Sequence, residues 1–95
     1  MAWAWDRDKA AANLRKHKVS FELACRVFDD PDQMSRPDPD PDEERWQTLG
    51  RPFGSSLTVL MVVHTDADET GADGRIISAR RATPHERRAY EGKTF

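Results

Sequence analysis

Apolar residues recur along this chain at two periods, and each period predicts an element. Residues 57–65 (L-T-V-L-M-V-V-H-T) are apolar on both alternating sets, with Leu57, Val59, Met61 and Val63 on one side and Leu60 and Val62 on the other. That pattern predicts a central strand covered on both faces. Residues 75–81 predict the next strand, with Ile77 and Ala79 on one face and Ile76, Ser78 and Arg80 on the other. Two shorter strands are predicted, an edge strand at 2–5 (A-W-A-W) and another at 44–50, before a turn marked by Gly50 and Gly54. The helical period appears at Phe21, Ala24, Cys25 and Phe28, one apolar stripe that follows an N-cap at Ser20 and stops at Asp29-Asp30-Pro31. Asp6 caps a helix over about 7–17, with an Ala10–Leu14 apolar pair. Thr83-Pro84-His85-Glu86 is a capping box with proline in the first turn, opening a helix that runs to about Glu91, with Gly92 just past its end. The order β-α-α-β-β-β-α predicts an α+β fold, an antiparallel-type sheet with helices packed on it.

Between these elements the chain is polar. Residues 36–43 (R-P-D-P-D-P-D-E) predict a surface loop, since each proline holds its predecessor extended and removes a backbone donor. Residues 66–74, acidic and glycine-containing, predict a strand connection. Charge sharpens the picture. The 95 residues carry a formal net charge of −2, but residues 29–44 hold eight acids against Arg36, a balance of −7. Residues 7–18 hold five bases against Asp8, and residues 74–95 six bases against Glu86 and Glu91, +4 in each case. Two basic segments thus flank an acidic one, which is compatible with a positive face and equally with ordinary solvated faces.

The length implies one domain over 1–95 that buries only about 60–65% of its unfolded surface, so a stabilising partner is plausible. No apolar run approaches the roughly 20 residues of a membrane span, and the first residues lack an apolar signal core, which points to the cytoplasm and to no membrane role. The single cysteine, Cys25, fits that compartment and reads as a core residue. Three isolated histidines, His17, His64 and His85, show no metal-ligand spacing, so neither a metal nor another cofactor is expected. Trp3, Trp5 and Trp46 read as core or interface residues rather than stacking platforms for bases.

Cleavage of RNA without a metal needs a base for the 2′-hydroxyl, cationic donors for the phosphorane and an acid for the leaving oxygen. Arginine suits the second task, because its planar fork matches phosphate oxygens and stays charged. Arg80 and Arg81 close a strand on opposite faces. Arg87 and Tyr90, three apart on the next helix, share a face. Only Ala82 and Thr83 separate the two elements, so one of the arginines can converge with Arg87 and Tyr90. The alternative is a solvated helix face with Tyr90 as a packing residue. His17, between two lysines at a helix end, is a proton-transfer candidate or an exposed capping histidine. His64 reads as structural, and His85 as solvated or a phosphate contact.

Four segments, residues 5–24, 27–31, 43–50 and 75–91, resemble the BrnT family of toxins, in the same order and over nearly the whole chain. The resemblance implies a type II toxin–antitoxin system and a RelE-like ribonuclease fold. It implies an endoribonuclease that cleaves RNA and inhibits translation. A BrnA-like antitoxin with a ribbon-helix-helix domain would neutralise it, and operator DNA would be bound only through that antitoxin. Carried over by position, His17, Arg80, Arg81, Arg87 and Tyr90 would be catalytic, and Lys9, Lys16, Lys18, Arg45 and Arg75 would bind RNA. The family often has glycine where this chain has Lys18, which bears on the helix end beside His17. Two other readings remain: an inactive module that only binds a ribbon-helix-helix partner, and a protein that binds DNA directly through 7–18 and 75–93.

Overall fold

The computed structural model describes residues 3–54, 57–66 and 73–95. Their elements run β1 (Trp3–Ala4), α1 (Arg7–His17), α2 (Phe21–Cys25) continuing as a 3-10 turn (Arg26–Asp29), β2 (Met34–Pro37), β3 (Trp46–Gly50), β4 (Leu60–His64), β5 (Gly74–Arg81) and α3 (Pro84–Gly92). The strands form one sheet in the order β1-β5-β4-β3-β2. The expected α+β class holds, with three helices on a five-stranded sheet. No helix is long and apolar enough to cross a membrane. Ala2 of the expected first strand, and residues 67–72 of the β4–β5 connection, lie outside the described residues.

All three predicted N-caps form. Asp6 accepts from the backbone N–H groups of Asp8 and Lys9, Ser20 from Leu23, and Thr83 from Glu86, whose carboxylate closes the box on the Thr83 N–H. These are local hydrogen bonds, so the sequence alone reports them.

Several expectations are corrected by longer-range pairing. Met34–Pro37 is a fifth strand where a loop was expected to begin at residue 36. It pairs antiparallel with β3, Met34 opposite Leu49 and Pro37 opposite Trp46, and the Ser35 and Thr48 hydroxyls bond across the pair at 2.7 Å. Proline is tolerated there because β2 is an edge strand. The sheet is mixed rather than antiparallel, since β1 runs parallel to β5. The strand expected from residue 57 starts at Leu60, and Leu57 is 81% exposed. In β5 a register shift between Val63 and His64 places Ile76 with Ala79, so the expected grouping of Ile77 with Ala79 fails.

β4 is central and covered on both sides, as its double alternation predicted. On one face Leu60, Val62, Ile76 and Ala79 pack with Val19, Phe21, Ala24 and Val27 of the α1–α2 region. On the other, Leu49, Val59 and Met61 pack with Tyr90 of α3. Gly50 permits the first face to close, because a Cβ there would come 2.6 Å from Cγ1 of Val27. His64 is structural: it stacks edge-on against Trp3 and Phe28 and bonds to Thr48 and Thr65. Burial pushes its pKa below the ordinary histidine value.

One side chain fixes α1. Asn13 is buried; its Nδ2 donates to the carbonyls of Val19 (2.9 Å) and Ala79 (2.8 Å), and its Oδ1 accepts from the Ala79 N–H (3.1 Å). Its carboxamide therefore does for β5 what a neighbouring strand would do, past the end of the two-residue β1. Helix α1 then ends at Lys18 in the left-handed region, φ 61°, its N–H bonded to the Leu14 carbonyl. A side chain is strained in that geometry, and glycine would relieve it.

Two stability measurements follow. Asn13→Ala orphans three buried backbone groups and is expected to cost about 3–5 kcal/mol in urea denaturation; a loss under 1 kcal/mol would show that water replaces the carboxamide. Lys18→Gly is expected to raise stability by about 1 kcal/mol through relief of the left-handed backbone, read as a higher urea midpoint at unchanged slope.

Candidate functional site

The corner where β5 meets α3 is built around an ion pair. Arg80 donates from Nη1 and Nη2 to the two oxygens of Glu86 at 2.8 and 2.9 Å, and Glu86 also accepts from the Thr83 N–H at 2.9 Å. The paired guanidinium holds the Glu86 carboxyl below the usual carboxylate range against the opposing effect of burial. Glu86 raises the Arg80 pKa in turn. A carboxylate so engaged is a poor proton acceptor; this pair anchors the first turn of α3 to the sheet. Alternation sends Arg81, opposite Leu60, to the other face.

Tyr90 sits one turn further along α3 and is buried. Its hydroxyl donates to Oδ2 of Asp30 at 2.6 Å. The same oxygen accepts from the Arg51 N–H at 2.8 Å, and the Arg51 guanidinium lies 5.4 Å from the Tyr90 ring centroid. Burial, then the Asp30 carboxylate, pushes the Tyr90 pKa up to about 12. Burial alone would raise that of Asp30, but the bonds from Tyr90, Arg51 and Asp32 outweigh it and leave it lowered. The arrangement locks α3 to the end of the 3-10 turn.

Two of the expected RNA contacts are engaged by the acidic loop. Arg45 pairs with Asp40 (2.8 Å) and Glu43 (2.9 Å), and Nη2 of Arg75 donates to both oxygens of Glu43 at 2.8 and 2.9 Å. These two arginines hold the Glu43 carboxyl below its ordinary pKa, Arg45 first. Lys9, Lys16, His17, Lys18, Arg81 and Arg87 have no carboxylate partner among the described residues. All but the half-buried His17 are exposed.

The structure thus brings Arg80 and Tyr90 to the α3 face of the sheet and places α1, with His17, along the outer edge of β5. Arg45 and Arg75 are tied to the acidic loop, away from that corner in the ladder. Among the described residues no three His, Cys, Asp or Glu side chains are grouped to hold a metal ion. A cleft of about 270 Å³ opens between β2 and α3, lined in part by Arg36, His85 and Arg88.

Comparison with known proteins decides the family. Residues 5–86 match the model of "Ribonuclease toxin, BrnT, of type II toxin-antitoxin system". The chain belongs to the BrnT family. It is therefore a type II toxin–antitoxin ribonuclease toxin by family, and an antitoxin partner is implied. The 1.1 Å crystal structure of the Brucella abortus ribonuclease toxin, BrnT, has the same fold, with a TM-score of 0.61, 20% identity and coverage of 87% of this chain and 99% of that one. No curated protein matches. The BrnT match ends at Glu86, so Arg87 and Tyr90 stand on this chain's own geometry.

Sequence reasoning did not single out Asn13, Asp30 or Arg36. Asn13 carried a signal in retrospect, as a lone amide at a position where α1 turns inward. Asp30 carried none, because its partner lies 60 residues away.

In this BrnT-family chain Tyr90→Phe is expected to cost about 1.5–3 kcal/mol, the range for a hydrogen bond to a charged group. Asp30→Asn should cost a similar amount, and the double variant little more than either single one. Strict additivity in a double-mutant cycle would show that the two side chains are not coupled.

Proposed function

We propose that this chain is a metal-independent endoribonuclease that cleaves RNA, inhibits translation in the cytoplasm, and adopts a RelE-like version of the α+β fold. In this reading a BrnA-like antitoxin neutralises it and carries the complex to operator DNA. The observation that carries the proposal is that Arg81, at the end of β5, and Arg87, on α3, have no carboxylate partner among the described residues, in a chain whose family is named for ribonuclease toxins.

The path of α1 adds a base. β1 pairs parallel with the start of β5, and Asn13 bonds to Ala79, so α1 advances beside β5 in the same direction. From Asn13 to His17 is about 6 Å of helix rise. From Ala79 to Arg81 is about 6.6 Å of strand. By that count His17 and Arg81 come to about the same level along β5. In the proposed mechanism His17 takes the proton from the 2′-hydroxyl, which attacks the adjacent phosphorus. Arg81 and Arg87 stabilise the equatorial oxygens of the phosphorane. The P–O5′ bond breaks, the departing 5′ oxygen takes a proton from solvent water, and the 2′,3′-cyclic phosphate remains. Arg80 acts as a positioning residue, through Glu86 and the first turn of α3. Lys9, Lys16 and Lys18 hold flanking phosphates. Arg45 and Arg75 reach RNA only by exchanging Glu43 for phosphate.

A second reading is favoured by the ion pairs of Arg45, Arg75 and Arg80 and by the buried Tyr90: a module that binds its antitoxin without catalysis. Cleavage of a defined RNA by purified protein in EDTA separates the two. Arg81→Ala and Arg87→Ala are each expected to lower kcat/KM by 10²–10³-fold, and His17→Ala by 10²–10⁴-fold, with folding intact by circular dichroism. RNA left whole by folded wild-type protein, with no growth arrest on expression, would assign the chain to the inactive module.

A further inference from the structure

The cleft between β2 and α3 adjoins the corner just described and shares Glu86 with it. Its volume, about 270 Å³, equals roughly nine water molecules, more than a lone inorganic anion fills. Its charged groups are Arg36, Glu86 and Arg88, with His85 beside them. Glu86 is neutralised by the two bonds from Arg80. Arg88 has no carboxylate partner among the described residues, so the cleft offers two guanidiniums without a counter-charge.

Arg36 is held in place without being consumed. Its Nε donates to Oε1 of Gln47 at 2.8 Å, and its guanidinium stacks 4.2 Å from the Phe95 ring centroid. Both contacts fix the plane of the group, and neither uses its two terminal nitrogens. A guanidinium fixed this way is prepared to receive two oxygens of one phosphate. Arg88 follows Arg87 in α3, so a single strand crossing the first turns of the helix passes from the corner arginine into the cleft.

We propose that this cleft is a second phosphodiester subsite, in which Arg36 and Arg88, with His85, grip a backbone phosphate of single-stranded RNA adjoining the bond cut at the β5–α3 corner. The inference rests on the ribonuclease reading for its substrate, and its test is separable from that reading.

The probe is a fluorescent 2′-O-methyl RNA oligonucleotide, which lacks the nucleophilic hydroxyl and stays intact. Anisotropy titrations over a salt series compare wild type with Arg36→Ala, Arg88→Ala and the double variant. Arg7→Ala, a loss of the same charge on the exposed start of α1, is the control. Each single cleft variant should weaken binding at least fivefold, the double at least twentyfold. Each lost phosphate contact should lower the slope of log K against log salt by about 0.7–1. In cleavage assays KM should rise by more than kcat falls. Affinity and salt slope within twofold of wild type in the double variant would overturn the subsite, as would an equal loss in Arg7→Ala. If wild type binds the probe but cuts no RNA, the corner chemistry fails while the binding data still support the cleft. If wild type does not bind the probe, the cleft proposal is overturned.

Discussion

The bond set of Asn13 is the constraint on which the rest of the molecule depends. One carboxamide with three backbone partners joins α1, the turn after it and the unpaired side of β5. The sheet there has only the two-residue β1 as a neighbour. Without the amide, β5 would bury an N–H and a carbonyl with nothing to meet them, and α1 would have no fixed height along the strand. The height of α1 sets where its last turn, with Lys16, His17 and Lys18, emerges.

The distribution of charge follows from a second constraint, the pairing of particular acids with bases, some close in the chain and one 32 residues away. Asp40 and Glu43 engage Arg45 and Arg75, and Glu86 engages Arg80. Among the described residues, the cations left without a carboxylate partner are concentrated along α1, at the end of β5 and on α3. A chain of formal charge −2 can therefore present a cationic surface to a polyanion. The pairs of Arg45 and Arg75 are partly solvent-accessible and contribute little to stability; their effect is to decide which arginines are available.

What the sequence made legible was local. Asp6, Ser20 and Thr83 announce their helices because a cap bonds to residues two or three positions away. The double alternation of 60–63 announces a strand buried on both sides. β2 was hidden because Arg36 and Pro37 open a Pro-Asp run, and only the register with β3 reveals that the run begins in a sheet. The irregularity at Ile77 was hidden because only the pairing with β4 reveals it: Val63 faces Ser78 and His64 faces Ile76, which leaves Ile77 as the extra residue. In the site, the arginines and Tyr90 were visible as residue types, and their partners were not. Glu43 lies 32 residues from Arg75, and Asp30 lies 60 from Tyr90. Whether an arginine is engaged or available is a property of the folded chain, and that property separates Arg80 from Arg81.

The edge position of Pro37 has a consequence for how copies of the chain meet. An open sheet invites a second strand at either side, the usual route by which β proteins aggregate or exchange segments. Here one side ends in a two-residue strand continued by an amide, and the other in a four-residue strand carrying a charge and a proline. Neither offers a run of free backbone long enough to template an addition. Strand addition at the described edges is thereby disfavoured, which shifts the weight of specificity from the generic chemistry of the main chain to the identity of surface residues.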